Sequence, residues 1–261
     1  MKLVLDAACG CNVGKVRANN EDNFYFDRRC LPLENRGLKR PVVMERKLDE
    51  VVCLGVFDGM GGQDHGEIAA FVAAETMKAE AGKLREYIIP EKRFLESACD
   101  AMNLAVFTEA QRLDTDRMGS TVVLALFNGR EIYICNLGDS RAYRFRQGEF
   151  LQLSVDHTDR EILKERGITK HRPRLTQNLG LDPQELRIEP YVAKGELRAG
   201  DWYLLCSDGL TDMLSNFEIA DVMHNSLSAE MCADTLVRAA LDKGGRDNVT
   251  VIVCRITEQG D

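Results

Sequence analysis

The chain has 261 residues, 44% apolar and 29% charged, an ordinary globular balance with length for one large domain or two small ones. A formal net charge of -8 disfavours a general nucleic-acid binder, which would carry a basic surface, and no run approaches the roughly 20 apolar residues of a membrane span. The opening Met1-Lys2-Leu3-Val4-Leu5-Asp6 does not read as a secretory signal, so a cytoplasmic protein away from membranes is expected.

In chain order, residues 51–57 form a continuous apolar run that stops at Asp58-Gly59, and their β-branched content predicts a buried strand. Residues 67–89 predict a helix, rich in Ala, Met and Lys and followed by Pro90; residues 91–113 predict a second. Strands are expected at 120–127 and 131–137 about Asn128-Gly129, a tight-hairpin signal, and at 141–146 and 150–153 about Gln147-Gly148. Residues 202–206 predict a short strand ending at Ser207-Asp208-Gly209, residues 229–241 a helix, and residues 249–256 a last strand after Asp247-Asn248. Hairpins interrupted by helical pairs argue for an α+β fold, antiparallel sheets with helices packed outside. Two segments break the pattern. Residues 28–49 read as a polar insertion between strands. Residues 154–187 hold a short helix, many charges, Pro173 and Pro183, and read as a mobile surface flap.

The nine cysteines include no C-x-x-C pair. Several lie in apolar runs, where a reduced cysteine acts as a small hydrophobe, and Cys9 with Cys11 is the one spacing that invites a soft metal. With four histidines against 42 carboxylates, oxygen ligands and hard ions are the better expectation. Asp58, Asp139 and Asp208 each follow a predicted strand, and Asp247 precedes one. Any one Asp-Gly is first of all a turn signal. Four such positions, with Arg17, Glu21 and Asp22 nearby in sequence, suggest oxygens held at rigid element ends, although spacing alone does not show that these ends meet.

These motifs resemble the metal-dependent protein phosphatases of the 2C type, in their bacterial form. The match runs in order through Gly14-Lys15-Val16-Arg17-Ala18-Asn19-Asn20-Glu21-Asp22, Val56-Phe57-Asp58-Gly59-Met60-Gly61-Gly62, Met118-Gly119-Ser120-Thr121, Leu137-Gly138-Asp139-Ser140-Arg141, Cys206-Ser207-Asp208-Gly209-Leu210-Thr211-Asp212 and Arg246-Asp247-Asn248-Val249-Thr250. One such motif is weak; six in register are specific. The resemblance implies an α-β-β-α sandwich forming a single catalytic domain over residues 1–261, with metals at one end. It implies hydrolysis of phosphoserine and phosphothreonine in proteins by a metal-activated water, without a phosphoenzyme. The implied cofactors are two manganese or magnesium ions and a third, weaker one.

The resemblance also implies roles. Asp58 bridges two ions, with the Gly59 carbonyl as a further ligand; Asp208 and Asp247 hold the first. Asp22 serves the second, directly or through water, with Glu21 its competitor. Arg17 grips the substrate phosphate, against a plainer reading in which it pairs with Glu21. Asp139 and Asp212 hold the third ion, against a reading of Asp212 as a helix N-terminal residue. Met60 stands where other relatives carry a histidine, and His65 is read as a turn residue rather than its substitute. Expected partners are phosphorylated proteins and a cognate serine/threonine kinase, with the enzyme a monomer. An inactive phosphoprotein-binding module and a phosphatase of small metabolites are the alternatives. Lys164, Arg166, Lys170, Arg172 and Arg174 make the flap a basic patch on an acidic chain, a feature that can steer an anionic partner.

Overall fold

The computed structural model describes residues 2–60, 65–84, 89–168 and 173–259. Two six-stranded sheets pack face to face among the described residues, and every pairing within them is antiparallel. The first sheet contains β1 (Lys2–Asn12), β3 (Val42–Lys47), β8 (Arg141–Arg146), β9 (Glu149–Gln152), β11 (Trp202–Cys206) and β12 (Val249–Gln259), in the order β3-β1-β12-β11-β8-β9. The second contains β2 (Asp22–Tyr25), β4 (Val52–Met60), β5 (Gly119–Ser120), β6 (Val122–Asn128), β7 (Glu131–Leu137) and β10 (Tyr191–Glu196), in the order β10-β7-β6-β4-β2 with β5 on the end of β4.

Three apolar layers hold the sandwich. Leu5, Phe24, Leu54, Phe127, Tyr203 and Ile252 pack between the sheets. The outer face of the second sheet is covered by α1 (Gly66–Lys83) and α2 (Glu91–Arg112), whose alanines Ala69, Ala73 and Ala98 allow close approach to Phe57 and Leu124. Over the first sheet lie α4 (Asp208–Thr211), α5 (Asn216–Asn225) and α6 (Ala229–Asp242), through Leu210, Ile219 and Leu236. A short α3 (Arg160–Glu165) lies in the flap and buries nothing. No helix among the described residues is long and apolar enough to cross a membrane.

The hairpin signals fold as expected. Arg146 pairs with Glu149 across Gln147 (φ 51) and Gly148 (φ 86), the left-handed pair that matches strand twist. At the other hairpin the two loop residues are Gly129 and Arg130, one position later than the dipeptide suggests. The segment read as a polar insertion is built into the first sheet: β3 pairs with β1 as its edge strand, and Leu31, Met44 and Leu48 enter the inter-sheet core. The exposed charges of Glu45, Arg46 and Lys47 suit an edge that must not recruit another strand. Cys9 and Cys11 do not form a metal pair. Cys9 is fully buried between the sheets, and the Cys11 thiol sulfur accepts from Thr250 Oγ1 at 3.1 Å and Asn20 Nδ2 at 3.3 Å. Burial, then the Asp22 charge, push the Cys11 thiol up to about 12. All nine cysteines are free.

Candidate metal centre

Antiparallel pairing brings the carboxylates to one end of the sandwich. Asp22 opens β2 directly opposite Asp58 on β4, so both side chains leave neighbouring strands on one face. The apolar pattern ends before Asp58, yet β4 continues to Met60, because Gly59 and Met60 pair with Ser120 and Gly119 and the Gly59 amide donates to the Glu21 carbonyl at 3.0 Å. Asp139 follows β7. In the other sheet Asp208 starts α4 after β11, and Asp247 precedes β12, the strand paired with β11. Ser207 joins the sheets at this end: its hydroxyl donates to Asp22 Oδ2 at 2.7 Å and accepts from the Thr250 amide at 3.0 Å.

The result is a cleft of about 270 Å³ lined by Arg17, Glu21, Asp58, Gly59, Met60, Thr121, Asp139, Asp208 and Asp247, together with Pro173 and Leu175 of the flap. Asp22 lies beneath this lining and is 2% exposed, whereas Glu21 belongs to it. An adjoining hollow of about 410 Å³ shares Arg17, Asp139, Asp208 and Asp247 and adds Asp212, Arg141, Arg160 and Arg246. Asp139 and Asp212 therefore face a common space. Asp212 closes α4 rather than opening a helix: its amide donates to the Asp208 carbonyl at 2.8 Å, and α5 is capped instead by Ser215 and Glu218 in a reciprocal box. Other hollows lie beside α1 and α6, where Asp27 pairs with Arg46 and Asp234 with Arg238.

Arg17 donates through Nη2 to Asp247 Oδ2 at 2.8 Å and lies 3.6 Å from Glu21 Oε2. The plainer reading of Arg17 as a partner of Glu21 is thus part of the picture, with Asp247 the nearer partner. Asn248 fixes the loop that carries Arg17. Its Oδ1 accepts from the Glu21 amide at 2.7 Å, and its Nδ2 donates to the Val13 and Asn19 carbonyls, each at 2.9 Å. Thr121 accepts from the Asp58 amide at 3.3 Å and shares a 2.7 Å hydrogen bond with Ser140. Sequence reasoning gave Asn248, Ser207, Thr250 and Thr121 no role. The available signal was position: each stands in one of the six motifs.

The flap is rooted on the segment that carries Asp139. Asn136 accepts from the Val155 amide at 3.1 Å and donates to the Val155 carbonyl at 2.7 Å. The His157 amide donates to the Gly138 carbonyl at 2.9 Å, and the Gly138 amide donates to His157 Nδ1 at 3.1 Å. Arg141 forks onto Asp156 with contacts of 2.6 to 3.0 Å. Of the basic flap residues, Lys170 and Arg172 lie outside the described residues, as do Gly61 and Gly62 of the second motif. Lys164 is partnered by Glu161 at 3.7 Å. His65 precedes α1 with φ 80 and is not among the residues lining the cleft.

Crowded carboxylates dominate the electrostatics. Burial, then the charges of Asp208, Asp22, Asp139 and Asp247, push the Asp58 carboxyl well above the usual range. Burial lifts Asp22 to about 7, opposed by hydrogen bonds from Thr250 and Ser207 and reinforced by Asp208 and Asp247. Glu21 is raised chiefly by burial, with Arg17 acting against it. Among the described residues no group of three or more His, Cys, Asp or Glu side chains is already set to hold an ion. The donor chemistry fits hard divalent cations: the lining offers carboxylate and carbonyl oxygens, and positive charge is what relieves repulsion among them.

Comparison with known proteins agrees with this geometry. The protein phosphatase 2C family profile matches residues 17–249. The serine/threonine protein phosphatase PstP of Mycobacterium tuberculosis is 33% identical over 98% of the chain, which spans 46% of that relative's length. The protein phosphatase PhpP of Streptococcus pneumoniae is 31% identical over 95% of the chain and 96% of its own. The solved catalytic domain of PstP in complex with two manganese ions superposes with a TM-score of 0.75 at 30% identity, covering 98% of the chain and 100% of that domain.

Proposed function

The chain belongs to the protein phosphatase 2C family of metal-dependent serine/threonine phosphatases, and from that premise we propose that it removes phosphate from phosphoserine and phosphothreonine in proteins by direct attack of water. The observation that carries this reading is the meeting of Asp58, Asp139, Asp208, Asp247 and Glu21 with Arg17 around one cleft, drawn from separate chain segments. Asp58 would be shared between two manganese or magnesium ions, with the Gly59 carbonyl beside it. Asp208 and Asp247 would complete the first. Glu21 offers its carboxylate to the second, while Asp22, held by Ser207 beneath the lining, would act through water. Asp139 and Asp212 would hold a weaker third. When bound, such ions neutralise phosphoryl oxygens and lower the pKa of the attacking water.

The chain's own groups do the rest. Arg17 presents parallel donors whose spacing matches two phosphate oxygens, and Asn248 holds its loop in place. Among the described lining residues there is no cysteine or histidine to serve as nucleophile, and a water can return the proton to the departing hydroxyl. Nine free cysteines suit a reducing cytoplasm. A serine/threonine kinase must supply the phosphorylated substrate.

Comparing substrates tests the reading. Phosphate release from a phosphothreonine peptide should exceed release from a panel of phosphorylated metabolites, since 2C-type chemistry in an open cleft favours a protruding phosphorylated loop. Arg17→Ala should lower kcat/KM on the peptide by about 10- to 150-fold, the worth of hydrogen bonds to a charged group at about 1.5–3 kcal/mol. Faster turnover of a metabolite would point to the small-molecule alternative. Peptide binding with no release would point to an inactive binding module.

A further inference from the structure

The segment between β2 and β4, residues 28–49, is longer than the family resemblance leads one to expect. Its contacts do more than edge a sheet. It leaves β2 through a two-residue turn at Asp27 (φ 49) and Arg28 (φ 63), closed by reciprocal backbone bonds of 2.9 Å between Phe26 and Arg29. It is then fastened to β1 where the Leu38 amide donates to the Cys11 carbonyl at 2.7 Å. Between these anchors it receives both asparagines that flank the acidic pair Glu21-Asp22.

On one side, Asn23 accepts from the Leu31 amide at 2.9 Å and donates to the Leu31 carbonyl at 3.1 Å. On the other, Asn20 donates to Asn35 Oδ1 at 2.6 Å. Asn35 is itself held, accepting from the Gly37 amide at 2.9 Å and donating to the Pro32 carbonyl at 2.9 Å. Asn20 is 1% exposed, and its Oδ1 has no hydrogen-bond partner among the described residues. Its side chain is anchored through Nδ2 alone, by Asn35 and by the weak acceptor Cys11 at 3.3 Å. Asn248 holds the backbone on either side of Asn20, but without Asn35 a thiol would be the remaining hydrogen-bond partner of its side chain.

We propose that the 28–49 segment positions the Glu21-Asp22 pair for metal binding, with Asn35 acting through Asn20 as its positioning residue. Hydrogen bonds that orient ligating carboxylates are typically worth about 10- to 100-fold in metal affinity, and this link runs from a buried Asn20 to a half-buried Asn35. The inference rests on the metal-centre reading above. It separates from a merely architectural role for the segment, because that role would lower stability without selecting ion binding.

Calorimetric titration of the full chain with manganese chloride tests it, alongside melting of the metal-free protein. Asn35→Ala is expected to weaken uptake of an ion by about tenfold or more with little change in metal-free melting. Asn35→Asp keeps the acceptor for Asn20 and Gly37 while losing the donation to the Pro32 carbonyl, and should bind more tightly than Asn35→Ala. Asn20→Ala removes the same link from its other end, so it should weaken binding alike, and the double variant should be no worse than either single. Arg46→Ala breaks the 2.5 Å contact with Asp27 on the same segment and should leave affinity unchanged. Wild-type affinity in both Asn35→Ala and Asn20→Ala would overturn the inference. So would equal weakening in Arg46→Ala, which would mean general loosening. A wild type that takes up no manganese would instead overturn the metal-centre reading, and this inference with it.

Discussion

Asp58→Asn should lose turnover by at least about 10³-fold, the upper range for removing one preorganised electrostatic group, while the metal-free protein melts at the same temperature or higher. The two halves have one cause. Asp58 faces Asp22 across a strand pair and shares a cleft with Asp139, Asp208 and Asp247. Its carboxyl is raised well above the usual range, first by burial and then by those charges. A carboxyl whose folded pKa exceeds its unfolded value favours the folded state while protonated. That advantage is fully present below the unfolded value near 3.9 and is lost as pH rises from there through the folded pKa. Asparagine cannot ionise, so the variant's stability relative to wild type should grow as pH rises beyond that point. Manganese should reverse the ranking, since binding to the native state alone stabilises it. A melting shift with manganese as large in Asp58→Asn as in wild type would contradict a bridging role for Asp58.

Gly209→Ala should also abolish turnover, but with the opposite stability signature. A Cβ at Gly209 would sit 1.8 Å from the Asn248 carbonyl oxygen. This close approach holds the start of α4, which carries Asp208, against the Asp247-Asn248 turn. Backbone cannot move aside as a flexible side chain can, so overpacking here should cost about 3 kcal/mol or more. Gly59→Ala poses the same problem, with the Gly66 carbonyl oxygen at 1.9 Å and that of Glu21 at 2.6 Å. Denaturant melts of the metal-free proteins separate the two kinds of loss: both glycine variants should be destabilised and Asp58→Asn should not. A Gly209→Ala protein with wild-type melting and turnover would contradict the packed strand ends described here.

The contrast also shows what could be read from the sequence. Strands with β-branched runs or turn dipeptides, such as β6, β7 and β8, were legible because period and punctuation agree. The central strand β1 was not. Ala7, Ala8, Cys9, Gly10 and Cys11 are small residues without alternation, because both faces are covered and α6 packs so close that a Cβ at Gly10 would lie 3.1 Å from Val237. Edge strands β3 and β10 were hidden for the opposite reason, their exposed positions being largely charged or polar. The aspartates were legible as strand-end motifs, and antiparallel register is what brings them together. The division of labour between Glu21 and Asp22 was open in the sequence. What the folded chain adds is a placement: a hydrogen bond from Ser207, 185 residues away, holds Asp22 below the cleft that Glu21 lines. Asn35 could not be singled out at all, since its partner Asn20 lies across a turn that only the folded chain defines.

The most direct test of the account is phosphate release from a phosphothreonine peptide in metal-free buffer, then with manganese, then with excess chelator. The carboxylate-lined cleft predicts negligible release without metal, release on adding manganese or magnesium, and loss of that release with chelator. Full turnover in metal-free buffer, undiminished by chelator, would contradict it.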